Sequence, residues 1–274
     1  MKTSNFFVIV WLVISGIPVS AQDSSYTNSV GMQLVLIRPG HMTVGKFQPV
    51  VTMYGFARAG NGPELPESAL QKGVEMAAKD ATPGFDVNID HPYYIGKFEV
   101  TQGEWKKVMG NNPSYFKGDN VKDDADQHPV ESVNWQDAQQ FIKKLNELEK
   151  GKAVYRIPSE FEWEWAARAG AQDDISWGDI NKTAVIATTS TSMVGKKKPN
   201  AWGLYDMLGN VWEWVQDKYN EKIFADPTPP KAGSEHVLKG APFYGDVKNA
   251  TYLTHAAGPG SGYDTGFRVL MEVR

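Results

Sequence analysis

The sequence predicts a single α+β domain, and three observations carry that prediction. Helical periodicity is clearest in three stretches between Thr101 and Gly170, short apolar runs broken by Gly and Pro lie on either side of them, and no repeat of fixed period is visible. The 274 residues suit one large domain or two small ones, and 41% hydrophobic against 22% charged residues supply a sizeable core.

Lys2, the apolar stretch Phe6 to Ile17 and the small-residue pattern Val19-Ser20-Ala21 read as a signal peptide over 1–21, cut before Gln22. That stretch is shorter than the roughly 20 residues of a spanning helix. No later segment is long and apolar enough, so the expectation is a periplasmic or secreted chain with no membrane span after cleavage. Met32 to Ile37, the turn Pro39-Gly40 and Met42 to Val44 predict two short strands, and Gly-, Pro- and Ala-rich text around 46–90 predicts a long surface insertion, with room for one helix over Glu67 to Lys79 interrupted by Gly73. Tyr93 to Val100 predicts a strand. Thr101 and Glu104 form a capping box for the first helix, which Gly110 ends. A second helix starts near Asn134 and places Trp135, Ala138, Phe141, Ile142, Leu145 and Leu148 on one face; a third is capped by Ser159 with Glu162. Past Gly170 turns, short strands and aromatic clusters are expected, among them GLYDMLGNVWEWVQD and GFRVLMEV.

Composition narrows the chemistry. A formal charge of −4, with no basic run beyond Lys196-Lys197-Lys198, argues against nucleic-acid partners. Cysteine is absent, which removes disulfides, thiolate metal sites and thiol nucleophiles together. His41, His91, His128, His236 and His255 show no metal-binding spacing, and neither a Gly-x-Ser-x-Gly elbow nor a phosphate-cradling Gly loop is present.

The stretches NSVGMQLVLIRPGHMTVG, FEVTQGEWKKVMGNNPSYFKGDN, HPVESVNWQDAQQFIKKLN, YRIPSEFEWEWAARAG, PNAWGLYDMLGNVWEW and the terminal GFRV, in this order from Asn28 to Arg274, resemble the sulfatase-modifying-factor or formylglycine-generating enzyme family. The resemblance implies a C-type lectin fold variant with a twisted antiparallel sheet, two or three helices and long ordered loops. Catalytic members hold Cu(I) on a cysteine pair that follows a stretch close to RGGSW. Here that stretch is Lys239-Gly240-Ala241-Pro242-Phe243, no Cys follows it, and soft Cu(I) selects sulfur, so no copper is expected. Met193, Met207 and Met271 read as core filler rather than thioether substitutes.

The resemblance also implies a structural calcium ion in PNAWGLYDMLGNVWEW, bound by the carboxylates of Asp206 and Glu213 and the carbonyls of Gly209 and Val211, all suitable hard oxygen donors. By themselves these residues equally allow Asp206 to cap the turn and Glu213 to pair with a Lys or Arg. The family's other calcium site is not carried over, because Val185 follows Ala184. Trp163 and Trp165 point in different directions on a helix, so the tryptophans read mainly as core. The expectation is an exported family member without the copper-oxidase site, acting as a binding or accessory module for a protein, peptide or glycan. The alternative is an enzyme using cysteine-independent chemistry in the same cleft, where Lys239, Tyr244, Asp246, His255 and Tyr263 form no recognisable constellation.

Overall fold

The computed structural model describes residues 24–45, 84–172, 175, 177–220, 223, 233–245, 250–258 and 260–273. The expected signal peptide over 1–21, the expected helix over 67–79 and Asp246 lie outside them. Among the described residues the strands are β1 (Ser25–Thr27), β2 (Gln33–Ile37), β3 (Gly40–Val44), β4 (Phe85–Ile89), β5 (Tyr93–Gly96), β6 (Tyr155–Arg156), β7 (Trp212–Lys218), β8 (His236–Gly240), β9 (His255–Gly258), β10 (Thr265–Phe267) and β11 (Leu270–Glu272). The helices are α1 (Gln102–Met109), α2 (Trp135–Leu148), α3 (Glu160–Arg168) and α4 (Trp177–Thr183). This is the α+β single domain read from the sequence.

Helix starts follow their caps. Thr101 accepts from Glu104 N while Glu104 accepts from Thr101 N, and Gly110 closes α1 at φ 81°. Ser159 and Glu162 repeat the arrangement on α3, and Asn134 and Asp137 do so on α2. On α2, Ala138, Phe141, Ile142 and Leu145 are buried as predicted, whereas Leu148 at the last helical position is 55% exposed. The face ends with the helix. Trp163 and Trp165 are both buried because α3 is enclosed from several sides, against β4, β7 and β8. Helix α4 was not read from the sequence, since seven residues carry too little periodicity.

Two further differences concern strands. Residues 85–89, expected within the insertion, form β4 and pair antiparallel with β3. The apolar text from Tyr93 to Val100 is extended only to Gly96, after which the chain turns toward the α1 cap.

A five-stranded antiparallel sheet has the order β1-β2-β5-β11-β6, and a four-stranded sheet has the order β10-β7-β8-β9 with β10 and β7 parallel. Helices α1 and α2 pack with Leu34, Tyr94 and Phe267 in one core, where Trp105 stacks on Phe141 at 5.3 Å. Helix α3 packs with Met42, Val215 and Val237 in a second. The text GFRVLMEV crosses between the sheets: Phe267 ends β10, Leu270 begins β11, and Arg268 sits at the crossing. That crossing places a cation between the two cores.

Candidate functional site

Arg268 is fully buried, and its surroundings follow from the strand pairings. β10 runs beside β7 with Gly266 opposite Glu213. The guanidinium donates to both Glu213 oxygens, Nε to Oε2 and Nη2 to Oε1, each at 2.6 Å, and Nη1 donates to Gly96 O at 3.0 Å. Trp163 Nε1 adds a bond to Glu213 Oε2 at 2.7 Å. Asp206, in the left-handed region at φ 53°, accepts from Gly195 N at 2.7 Å through Oδ2. Its buried Oδ1 has no partner, and neither oxygen of Glu99 has one.

Three buried carboxylates therefore surround one guanidinium. Burial pushes Glu99 well above the usual carboxylate range, with the charges of Asp206 and Glu213 adding to it, and burial raises Asp206 to about 6. Arg268 stays charged because the attraction of Glu213 outweighs its loss of hydration. The group balances with protons on the carboxylates or with a divalent cation.

The four residues assigned to calcium by resemblance come together around the turn before β7. Gly209 holds a left-handed φ of 87° against Val185, with Asn210 N donating to Val185 O, and the Val211 carbonyl faces Gly240. Asp206 fits a cation, since Oδ1 is buried and free. Glu213 is already held by Arg268 and Trp163, the pairing that its residue type also allowed. Among the described residues no group of three or more His, Asp or Glu side chains has metal-holding geometry. Met207 and Met271 lie in different cores, in keeping with a filling role.

A second feature opens on the surface. A groove of about 1170 Å³ runs between the loop carrying Tyr115 to Asp123 and the loop carrying Thr188 to Lys197, with Tyr263 at one end. His128 ties the two walls, its Nδ1 2.9 Å from Thr191 Oγ1 and its Nε2 2.7 Å from Asp123 Oδ1. The bond from His128 holds Asp123 below the usual carboxylate range. Thr191 itself is 3% exposed, so its hydroxyl is a strut within the wall.

Tyr115 and Tyr263 line this groove and Tyr244 adjoins Tyr263 beyond its lining, with 56%, 53% and 49% of their surface exposed respectively. The ring of Tyr263 lies 6.0 Å from that of Tyr115 and 6.5 Å from that of Tyr244, over a floor of Phe116 and Phe243. Hydrogen bonds from the buried floor to the exposed rim hold the platform. Glu131 accepts from Phe116 N at 2.8 Å and from Ser132 Oγ at 2.6 Å, Ser132 N donates to Gly262 O, and the Tyr244 hydroxyl donates to Asp264. Phe243 is the last residue of the KGAPF stretch, so the platform adjoins the segment that the resemblance sets against RGGSW.

Tyr244 and Tyr263 stand in the sequence as unconnected residues, and nothing local to Tyr115 marks it. Folding joins them across more than a hundred residues, which no local spacing records. Glu99 was likewise missed within FEVT, where it reads as a polar strand residue.

The sulfatase-modifying factor enzyme 1-like domain family matches residues 23–273. The chain is 30% identical over 235 residues to the chaperone protein LppX of Paenibacillus barcinonensis, covering 65% of this chain and 79% of that protein. It is 31% identical over 190 residues to the formylglycine-generating enzyme of Thermomonospora curvata, covering 59% of this chain and 57% of the enzyme. The chain thus spans little more than half of that relative's length. Among solved structures, PvdO from Pseudomonas aeruginosa superposes with a TM-score of 0.68 at 23% identity, over 91% of this chain and 98% of that one, which shows the shared fold. Treponema denticola variable protein 1 superposes with a TM-score of 0.69 at 26% identity over the same shares. The match over residues 23–273, with a relative aligned across most of its own length, places this chain in the sulfatase-modifying factor enzyme 1-like domain family.

Proposed function

We propose that this chain works outside the cytoplasm as a binding or accessory module, without copper-dependent formylglycine formation, and that its contact surface is the groove with its tyrosine platform. The carrying observation is that three half-exposed tyrosines, braced by the hydrogen bonds of Glu131 and Asp264, meet where catalytic relatives are expected to hold cysteines. Rigid aromatic side chains bury area at low entropic cost, which suits a binding surface. The similarity to a protein named as a chaperone agrees with an accessory role. Among the described residues no helix is long and apolar enough to cross a membrane. The hydroxyl of the Asp123, His128 and Thr191 chain is buried, which favours binding over nucleophilic chemistry on that wall.

A structural calcium ion beside Asp206 is the second part of the proposal. The unpartnered oxygens of Asp206 and Glu99 support it, with Gly209 and Val211 carbonyls as further donors and Glu213 contributing lone pairs that Arg268 and Trp163 leave. Bound to the folded state alone, it would stabilise the fold by mass action.

The test pairs two measurements. Copper-loaded protein incubated under oxygen with a cysteine-containing sulfatase-type peptide should show no mass change from Cys to formylglycine. Capture from the host's secreted material should yield a partner with the native chain and lose it with Tyr115→Ala/Tyr263→Ala. Peptide turnover above a metal-free control would overturn the reading.

A further inference from the structure

We propose that the groove takes a chain of anionic sugars, its rings stacked on the tyrosine platform and its acid groups paired with Lys122 and Lys196. This inference rests on the proposed binding role and names the ligand class of that surface.

Size argues first. At about 1170 Å³ the groove exceeds the roughly 300–1,000 Å³ of most small-molecule sites, so it suits a segment of a longer chain. The walls argue next. None of its lining residues belongs to one of the strands, so a peptide backbone would find no sheet edge to extend. Side chains present themselves instead: Asn120 on one wall and the hydroxyls of Thr189, Ser190 and Ser192 on the other, donors and acceptors matched to a polyhydroxylated ligand. Lys122 and Lys196 are exposed and make no hydrogen bond or ion pair among the described residues, whereas Lys197 is engaged with Asn181 O. Asp123 faces the same space, hydrogen-bonded to His128 and feeling the charge of Lys196, so three lysines stand against one carboxylate there. The groove therefore carries unmet positive charge although the whole chain is acidic.

The platform supplies the last element. Three half-exposed rings within 6.5 Å of their neighbours offer successive apolar faces, and the C–H faces of sugar rings are the flat, weakly apolar surfaces that such rings cover. Carboxylated and sulfated sugars share this chemistry. Lysines recognise either as point charges.

The experiment is calorimetric titration of the full mature chain with oligogalacturonate, a sulfated oligosaccharide, a neutral galactan oligomer and polyglutamate. Binding of one or both anionic sugars is expected, weakening as salt rises, and the two arms tell carboxylate from sulfate recognition. Tyr263→Ala and Lys122→Ala/Lys196→Ala should each weaken it about tenfold or more, the ratio that 1.4 kcal/mol produces. Tyr263→Phe, which keeps the ring, should retain binding, and unchanged melting of each variant secures the comparison. Equal affinity for polyglutamate with no loss in Tyr263→Ala, or equal affinity for the neutral oligomer, would overturn the inference. If no sugar binds while a protein partner is still captured through the tyrosines, the ligand class fails and the binding role stands.

Discussion

Glu213→Gln tests what the buried acidic group is for. In the native chain Arg268 and Glu213 are both buried, joined by two bonds of 2.6 Å, with Trp163 on the same carboxylate. The amide keeps one oxygen and loses the charge, leaving the guanidinium without its direct counter-ion. Removing one partner of a buried pair costs about 3–5 kcal/mol, and the retained oxygen points to the lower end, about 3 kcal/mol. For a chain of this size that corresponds to a fall in Tm of about 6–12 °C. Urea unfolding followed by tryptophan fluorescence should show this loss in excess chelator as well as in excess calcium. The double substitution Glu213→Gln/Arg268→Met should recover part of it, because no charge is then stranded. A loss confined to calcium, with less than about 1 kcal/mol in chelator, would refute the reasoning and make Glu213 an ion ligand before it is a partner of Arg268.

Asp206, raised by burial from 3.8 to about 6, binds its proton more tightly in the folded state, so in chelator stability should fall as pH rises from about 4 to 6, by about 3 kcal/mol from this group. Glu99 adds in the same direction; Asp206→Asn should flatten the profile in an unfolding series, and a steep rise in stability over that range would contradict the assignment. Gly209→Ala should destabilise by about 2 kcal/mol or more, since an added Cβ would lie 2.4 Å from Val185 O at a φ of 87°; a normal melting curve would show that the turn can shift. Ser159→Ala removes the side-chain acceptor of the α3 capping box and should cost about 1 kcal/mol in urea unfolding. Saturating calcium should raise Tm, and a melting curve indifferent to chelator would remove the proposed ion.

How far the sequence could be read depends on the reach of each interaction. Thr101 with Glu104 and Ser159 with Glu162 are contacts across three residues, so the helix starts were legible, and the missed Asn134–Asp137 box carried the same signal in other residue types. The face of α2 was legible for the same reason until Leu148, where the helix ends and periodicity ceases to predict burial. Glu213 is different. Its text admits a calcium ligand or an ion-pair partner, and the deciding residue, Arg268, lies 55 positions away. Only the parallel pairing of β10 with β7 brings them together, and nothing local to WEW or GFRV announces a parallel pair. The groove is more distant still from local text, because His128 reaches Thr191 across 63 positions and Tyr115 meets Tyr263 through the return of the chain after β9. Absence, by contrast, reads without any fold: a chain with no sulfur nucleophile offers none at any distance. The expectation of no copper chemistry therefore rests on composition alone, while the proposed contact surface required the three-dimensional arrangement of three tyrosines.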